Sequence, residues 1–298
     1  MSRKEKFDYI TIVIPAYNES KNLRILIAKI FKKYPAIKVV VVDDSDKAED
    51  LRLRKILSIF GGNVKVISRF KKMGRGSAVI EGLKLSLKNK KVKIFIEMDA
   101  DLAHDPDELS LFLQEIKSSD MVVGSRYRPK SKIIKWPVAR LIQSRIINLF
   151  LRVWLGLNLT DYTNGYRAYS RRAAEFLLKQ KLREKGFISL SETAFKLREA
   201  GFKISEVAIT FRDRKFGRSS ANLKELIASL RGAIRIRFSG RRKHVGIISQ
   251  PLFYGLVSLL FIYLNYSFRV WAILNDSYGL AAAKVIPEVT GIVFFLIL

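Results

Sequence analysis

The chain of 298 residues contains no cysteine. A disulfide frame and a cysteine-based zinc site are therefore both excluded. Histidine is nearly absent too, with only His104 and His244 to offer an imidazole. Acidic residues are scarce beside basic ones, 27 against 55, which leaves a formal net charge of +28. Such a balance points to an anionic partner, whether nucleic acid, acidic lipid headgroups or a phosphorylated substrate. No RNP motif, zinc finger or basic-zipper heptad accompanies the basic residues, so nucleic acid is not the expected partner. Internal repeats and long low-complexity linkers are missing. The charged start, Met1-Ser2-Arg3-Lys4-Glu5-Lys6, runs straight into a strand pattern, and no signal peptide is visible. What remains is 49% hydrophobic, enough to fill a sizeable core in one large domain or two small ones.

Charge of either sign is also lacking from Val245 to Phe268. As a helix rising ~1.5 Å per residue, this run would exceed the ~30 Å hydrocarbon thickness of a bilayer. Phe253, Tyr254, Phe261, Tyr263 and Tyr266 give it aromatic character suited to the interfaces. Arg241-Arg242-Lys243 lies immediately upstream, which puts the large N-terminal part on the cytoplasmic side. A second apolar stretch begins near Leu280 and is still apolar at Leu298, with Lys284 and Glu288 spaced to pair across one helical turn. The expectation is a cytoplasmic domain over residues 1–238 and a membrane region of two helices over 239–298. That region stops short of a further loop, as if truncated, and the protein would be a multi-pass component of the cell membrane.

Ahead of the tail, short β-branched or apolar runs alternate with helical patterns. Ile10 to Ile14 is a strand ended by Pro15. Asn18-Glu19-Ser20 then opens an amphipathic helix with Leu23, Leu26, Ile27 and Ile30 on one face. Val39 to Val42, Val64 to Ile67, Ile94 to Ile96 and Met121 to Val123 are further strands, and a helix runs to Leu87 after Gly74-Arg75-Gly76. Residues 135–155 read as a basic amphipathic helix with Trp136 and Trp154. Such a helix, taken with its approach over 133–155, suits a membrane interface or a cap on the core. Asp161 to Arg167 reads as a polar turn entering a strand, and Ile204 to Phe211 as a strand ended by Arg212-Asp213-Arg214. Short connections between strands and helices predict an α/β fold: a mostly parallel sheet with helices on both faces. Right-handed crossovers bring the strand-end motifs to one edge.

Those ends carry polar chemistry. They are Tyr17-Asn18-Glu19, Asp43-Asp44, Asp99-Ala100-Asp101 and Arg126. Turns favour Gly, Asn and Asp but have no need of Arg or Tyr. Ligands of open α/β sheets sit beyond the carboxyl ends of the strands. Mg²⁺ or Mn²⁺ on a nucleotide diphosphate takes one or two protein carboxylates and fills its other positions with phosphate and water. Asp99 and Asp101 at a strand end are the candidate metal ligands.

Taken together, Val13-Ile14-Pro15-Ala16-Tyr17-Asn18-Glu19, Val42-Asp43-Asp44, Gly74-Arg75-Gly76, Asp99-Ala100-Asp101-Leu102, Gly124-Ser125-Arg126-Tyr127, Asp161 to Arg167, and Asp213-Arg214 with Gly217-Arg218-Ser219 resemble the GT-A type, family 2 glycosyltransferases. The nearest branch is the dolichyl-phosphate mannose synthases and the related polyprenyl-phosphate glucosyltransferases. The likeness covers about residues 8 to 238. The tail resembles the start of a small four-helix membrane domain sometimes fused to such enzymes. The resemblance implies that Pro15, Tyr17, Glu19, Val42 and Asp44 surround the base and ribose of a nucleotide-sugar donor. Asp99, Ala100 and Asp101 would meet its diphosphate and metal. Arg126 and Arg214 would hold phosphates of donor or acceptor, and Arg140, Ser144, Arg214 and Ser220 the phosphate of a polyprenyl (dolichyl) acceptor in the bilayer. Asp101, Arg126 and Arg214 would be catalytic. Two positions depart from the pattern. Ala103 stands where a metal-binding Gln is common, and Ser220 where a phosphate-contacting Lys is common. The implied reaction is inverting transfer of a hexose, mannose from GDP-mannose first. Glucose from UDP-glucose is the alternative, and a membrane-tethered, non-catalytic binding protein for sugar nucleotides or anionic lipid a more distant one.

Overall fold

The computed structural model describes residues 7–184, 186–213 and 223–239. The chain divides into two units at Val245, and every described residue belongs to the first. Arg214, Ser220, the loop around Gly217 and, apart from Ser239, the expected membrane region of 239–298 lie outside the described residues. Among the described residues, no helix is long and apolar enough to cross a membrane.

In chain order the elements are β1 (Ile10–Ala16), α1 (Ser20–Lys33), β2 (Lys38–Asp43), α2 (Lys47–Leu57), β3 (Val64–Ser68), α3 (Arg75–Leu87), β4 (Ile94–Glu97), α4 (Leu109–Glu115), β5 (Met121–Ser125), β6 (Lys132–Ile134), α5 (Val138–Leu155), β7 (Arg167–Ser170), α6 (Arg171–Lys179), α7 (Ser189–Glu199), β8 (Ile204–Ala208), β9 (Thr210–Arg212) and α8 (Leu223–Phe238). Seven strands form one sheet in the order β3-β2-β1-β4-β7-β5-β8. All pairings are parallel except those of β7, which runs antiparallel to both β4 and β5. The start of β7, and the turn that leads into it, therefore lie at the same edge as the ends of the parallel strands.

The apolar runs are continuous because helices cover both faces of the sheet. Along β1, Ile10, Ile12 and Ile14 pack with Leu23, Leu26, Ile27 and Ile30 of α1 and with Leu53 and Leu57 of α2. Val13 faces the other way, among Val79 and Leu83 of α3, Leu151 and Leu155 of α5, and Ala233 and Ile236 of α8. The apolar face expected for α1 is fully buried. Each such aliphatic side chain contributes about 1.5–3 kcal/mol relative to an exposed one. Helix α3 approaches the sheet so closely that a Cβ on Gly82 would overlap Val13 and press on Val42.

Two sequence expectations need correction. The helix expected from residue 135 begins at Val138, because Pro137 biases Trp136 away from helical backbone. Strand β6 precedes it instead. The strand expected from Ile204 to Phe211 is split. β8 pairs with β5, whereas β9 leaves the main sheet to pair with β6. Glu108 directs the departure by accepting from the Thr210 amide at 2.7 Å.

One buried ion pair joins the end of β5 to the turn before β7. Arg126 Nε and Nη2 donate to Asp161 at 2.7 and 2.8 Å, and the Arg126 amide donates to the same carboxylate at 3.0 Å. Glu206 on β8 anchors the turn by accepting from the amides of Thr160 and Asp161. Burial pushes the Asp161 carboxyl up, but the charge and hydrogen bonds of Arg126 outweigh it and leave the group below its ordinary value.

Two outcomes follow from this packing. Gly82→Leu should destabilise by about 1–3 kcal/mol through overpacking, read as a fall in denaturation midpoint. Asp161→Asn should cost about 3–5 kcal/mol, since it strands a buried guanidinium. Because the folded carboxyl of Asp161 is depressed, its contribution is complete above the ordinary value near about 3.9 and fades as pH falls through the lower folded one. The acid limb of a melting-temperature profile should therefore be shallower in Asp161→Asn than in the native chain.

Candidate active site

The carboxyl edge of the sheet gathers the ends of β1, β2, β4 and β5 and the turn at 161–166. At the end of β4 the chain makes a tight turn through Asp99-Ala100-Asp101-Leu102-Ala103-His104. Leu102 sits in the left-handed region at φ 65°, a conformation that a branched side chain adopts only when its surroundings impose it. Here the Ala103 amide donates to Asp101 Oδ1 at 3.1 Å, and the Asp99 amide donates to His104 Nδ1 at 3.2 Å. Since Nδ1 accepts, the proton lies on Nε2, which donates to Asn164 Oδ1 at 2.8 Å. The Asn164 amide group donates onward to the Gly124 carbonyl. Tyr166 stacks on the imidazole at 4.9 Å. His104 thus spends both nitrogens on shaping the carboxylate turn.

Asp101 is buried, and Asp99 is part-exposed. A guanidinium reaches Asp99 from the start of α3. Arg75 Nε and Nη2 donate to Asp99 Oδ1 at 3.0 and 2.7 Å, and Nη1 donates to Glu97. Glu97 also accepts from the Tyr169 hydroxyl at 2.6 Å. Burial would lower the Arg75 proton affinity, but Asp99 and Glu97 raise it, so the guanidinium stays charged.

Asp44 is committed locally. It accepts from Arg69 Nε and from the amides of Met73 and Gly74 at 2.8 and 3.2 Å, so it shapes the loop that presents Arg75. Tyr17 is 46% exposed, with Lys72 Nζ 4.9 Å from its ring centre. Pro15 is half-buried beside it. Glu19 accepts from Asn22 in the first turn of α1. Val42 has no exposed surface and packs with Val40 and Ala78, so its side chain belongs to the core instead of the edge. Ala100 is buried as well.

Across the edge, Arg126 is enclosed by aromatic rings, with Trp136 and Phe211 each 5.2 Å from the guanidinium and Tyr127 at 5.4 Å. Asp161 holds two of its nitrogens, and Nη2 also donates to Thr163. Arg140 stacks on Trp136 at 4.2 Å and pairs with Asp213 at 2.8 Å. Ser144 accepts from the Tyr127 hydroxyl at 2.6 Å. The structure thus brings Arg126, Arg140 and Ser144 together around Tyr127 and Trp136. Arg214 and Ser220 lie outside the described residues.

Sequence reasoning gave no role to Arg75, Glu97, His104, Asn164 or Tyr169. Glu97 carried a signal, being a lone acid in an apolar strand that must find a buried partner. Arg75 and Asn164 lay inside quoted motifs and His104 was one of two imidazoles, but the partners of Arg75 and Tyr169 and the His104–Asn164 bond come from distant segments.

The donors suit Mg²⁺ or Mn²⁺. Asp99 and Asp101 offer hard oxygen atoms, and no group of three or more His, Cys, Asp or Glu converges among the described residues. Two carboxylates match an ion whose other ligands are phosphate and water. Ala103 is fully buried and its carbonyl accepts from the Arg212 amide, so that position closes the turn against β9.

Known proteins resemble this chain in sequence and in fold. Residues 11–178 match the model of the family described as glycosyl transferase family 2. The chain is 31% identical over 242 residues to an undecaprenyl-phosphate mannosyltransferase of Micrococcus luteus, covering 80% of this chain and 99% of the relative. It is 33% identical over 219 residues to a polyprenol monophosphomannose synthase of Mycolicibacterium smegmatis, covering 72% and 82%. Among solved structures, glucosyl-3-phosphoglycerate synthase from Mycobacterium tuberculosis in complex with Mn²⁺, UDP-glucose and glycerol 3-phosphate superposes with a TM-score of 0.55 at 19% identity, over 83% of each chain. That likeness carries the fold, the GT-A α/β arrangement. The family match and the two relatives carry the assignment: this chain belongs to glycosyl transferase family 2 and is a glycosyltransferase.

Proposed function

We propose that the enzyme transfers a hexose, mannose from GDP-mannose, to a polyprenyl phosphate at the cytoplasmic face of a membrane, with inversion at the sugar carbon. The observation that carries this reading is one sheet edge with a carboxylate pair on one side and guanidinium groups among aromatic rings on the other. On one side Asp99 and Asp101 suit a metal-bound diphosphate. On the other, Arg126 and Arg140 stand among aromatic rings, suited to a phosphate on an apolar chain. The names of the two relatives support the same acceptor class and sugar.

A phosphate monoester has its second pKa at about 6 and carries nearly two charges at neutral pH. It is already a nucleophile, so a general base is unnecessary. This agrees with a site whose one described histidine is spent on the carboxylate turn. The chemical difficulty is bringing an anionic acceptor to an anionic donor. Arg126 and Arg140, with Arg214 beyond the described residues, offset that repulsion. Asp99 and Asp101 would hold the divalent ion, which supplies Lewis-acid stabilisation of the departing diphosphate. Tyr17 and Lys72 offer a stacking surface and a cation for the nucleoside end. The Trp136–Phe211 wall shields the acceptor phosphate from water, which strengthens every charge interaction there.

Membrane attachment is part of the proposal. Helix α5 exposes Val138, Ile142 and Leu149 along with Arg145 and Arg152. This mixed apolar and basic face suits an anionic lipid surface, where each cation adds roughly 1 kcal/mol. The uncharged run from Val245 to Phe268 supports an anchor beyond it, and an anchor raises the effective concentration of a lipid acceptor.

Asp101→Ala should lower transfer by at least about 10²–10³ while the chain still unfolds cooperatively, at a melting temperature lowered by the loss of one buried turn hydrogen bond. Near-normal turnover by this variant in excess Mn²⁺ would remove Asp101 from the mechanism. The donor is decided by detergent-solubilised protein given radiolabelled GDP-mannose, UDP-glucose or UDP-N-acetylglucosamine with a polyprenyl phosphate. Metal-dependent label in the lipid phase is expected from GDP-mannose. Label only from UDP-glucose would replace the sugar, and none from any donor would overturn the acceptor assignment.

A further inference from the structure

Arg75 donates directly to Asp99, one of the two candidate metal ligands, and nothing in the proposed chemistry uses it. Its placement is costly. The side chain is only 13% exposed, and a Cβ at position 165 would overlap its Nη2, so the turn before β7 needs glycine to admit it. The Gly165 carbonyl then accepts from Nη2 at 3.3 Å. Glu97, itself held by the Tyr169 hydroxyl, fixes the far side of the fork. Gly76, the next residue, leaves no room for a side chain against Ser189 and the Glu184 carbonyl, so the start of α3 is closely packed too. The end of β4, the start of α3 and the turn before β7 therefore meet on this one side chain.

We propose that Arg75 is a positioning residue that holds Asp99 by Oδ1 and keeps the carboxylate pair a weak cation site until a diphosphate arrives. This rests on the reading of Asp99 and Asp101 as metal ligands. A guanidinium hydrogen-bonded to one ligand opposes a second cation on that ligand by direct charge repulsion, an effect that is large where water is partly excluded. A nucleotide diphosphate supplies the missing negative charge, so ion and donor load together. The same two N–H bonds fix the carboxylate rotamer, and the ion then meets Asp99 in one orientation. The arrangement makes metal loading depend on substrate without a conformational switch.

The test removes the cation without stranding its buried partner. Arg75→Met alone would leave Glu97 buried and uncompensated, and such changes are strongly destabilising. Arg75→Met/Glu97→Gln neutralises both and keeps an acceptor for the Tyr169 hydroxyl. Mn²⁺ affinity is measured on the full-length, detergent-solubilised chain by the paramagnetic resonance of free Mn²⁺, with no donor and no lipid. The double variant should bind Mn²⁺ about tenfold more tightly than Glu97→Gln alone, or better, because those two chains differ only in the charge at position 75. Adding Asp99→Asn should abolish that gain. A merely structural role for Arg75 predicts equal or weaker binding, and either result would overturn the proposal, as would a gain that persists without Asp99. Because neither donor nor acceptor enters the measurement, a wrong acceptor assignment would leave its outcome intact.

Discussion

Carboxylates crowded onto one edge of a sheet must each meet a cation or a set of donors, because burial penalises every uncompensated charge. This constraint organises the molecule. Asp44 meets Arg69, Glu97 and Asp99 share Arg75, and Asp161 takes Arg126. Each pair also joins segments that the sheet alone would leave apart. The loop before α3 is tied to β2, the turn before β7 to β5, and the start of α3 to the end of β4. Paired guanidinium groups of this kind add little net stability, yet breaking one is severe. They hold a polar edge in one shape, which is what a preorganised site needs.

The same logic separates two kinds of arginine. Arg75 and Arg69 are enclosed among protein carboxylates and shape the site. Arg140 is only partly covered, resting on Trp136 and paired with Asp213 at the protein surface. Arg126 stands between these cases, anchored by Asp161 but framed by the rings of Tyr127, Trp136 and Phe211. The large positive charge is thus partly an internal balance for the acids of the edge and partly an outward field. The second part, displayed on α5 beside exposed aliphatic side chains, is the part that an anionic lipid surface would feel.

Much of this could be read along the chain. The strands at Ile10–Ile14, Val39–Val42, Ile94–Ile96 and Met121–Val123 all exist, because β-branched runs bounded by polar turns have few other uses. The amphipathic face of α1 is buried as its spacing implied. The Asp-x-Asp turn lies at the carboxyl edge, as parallel strands require. The failures were those where tertiary contacts outrank local pattern. Pro137 and the β6–β9 pairing shortened a helix. A carboxylate on Glu108 drew the chain away after Ala208.

Local periodicity and composition alone determined the α/β class, the order of the strand-end motifs and the need for an anionic partner. Those depend on interactions between near neighbours, or on sums over the chain. Which guanidinium meets which carboxylate was decided only by the tertiary structure. Arg75 reaches Asp99 across 24 residues and Gly165 across 90. It can do so because β7, entering antiparallel between β4 and β5, delivers its turn to the same edge. Strand order is a non-local property, and the buried side chains that depend on it leave no period in the sequence from which they could be read.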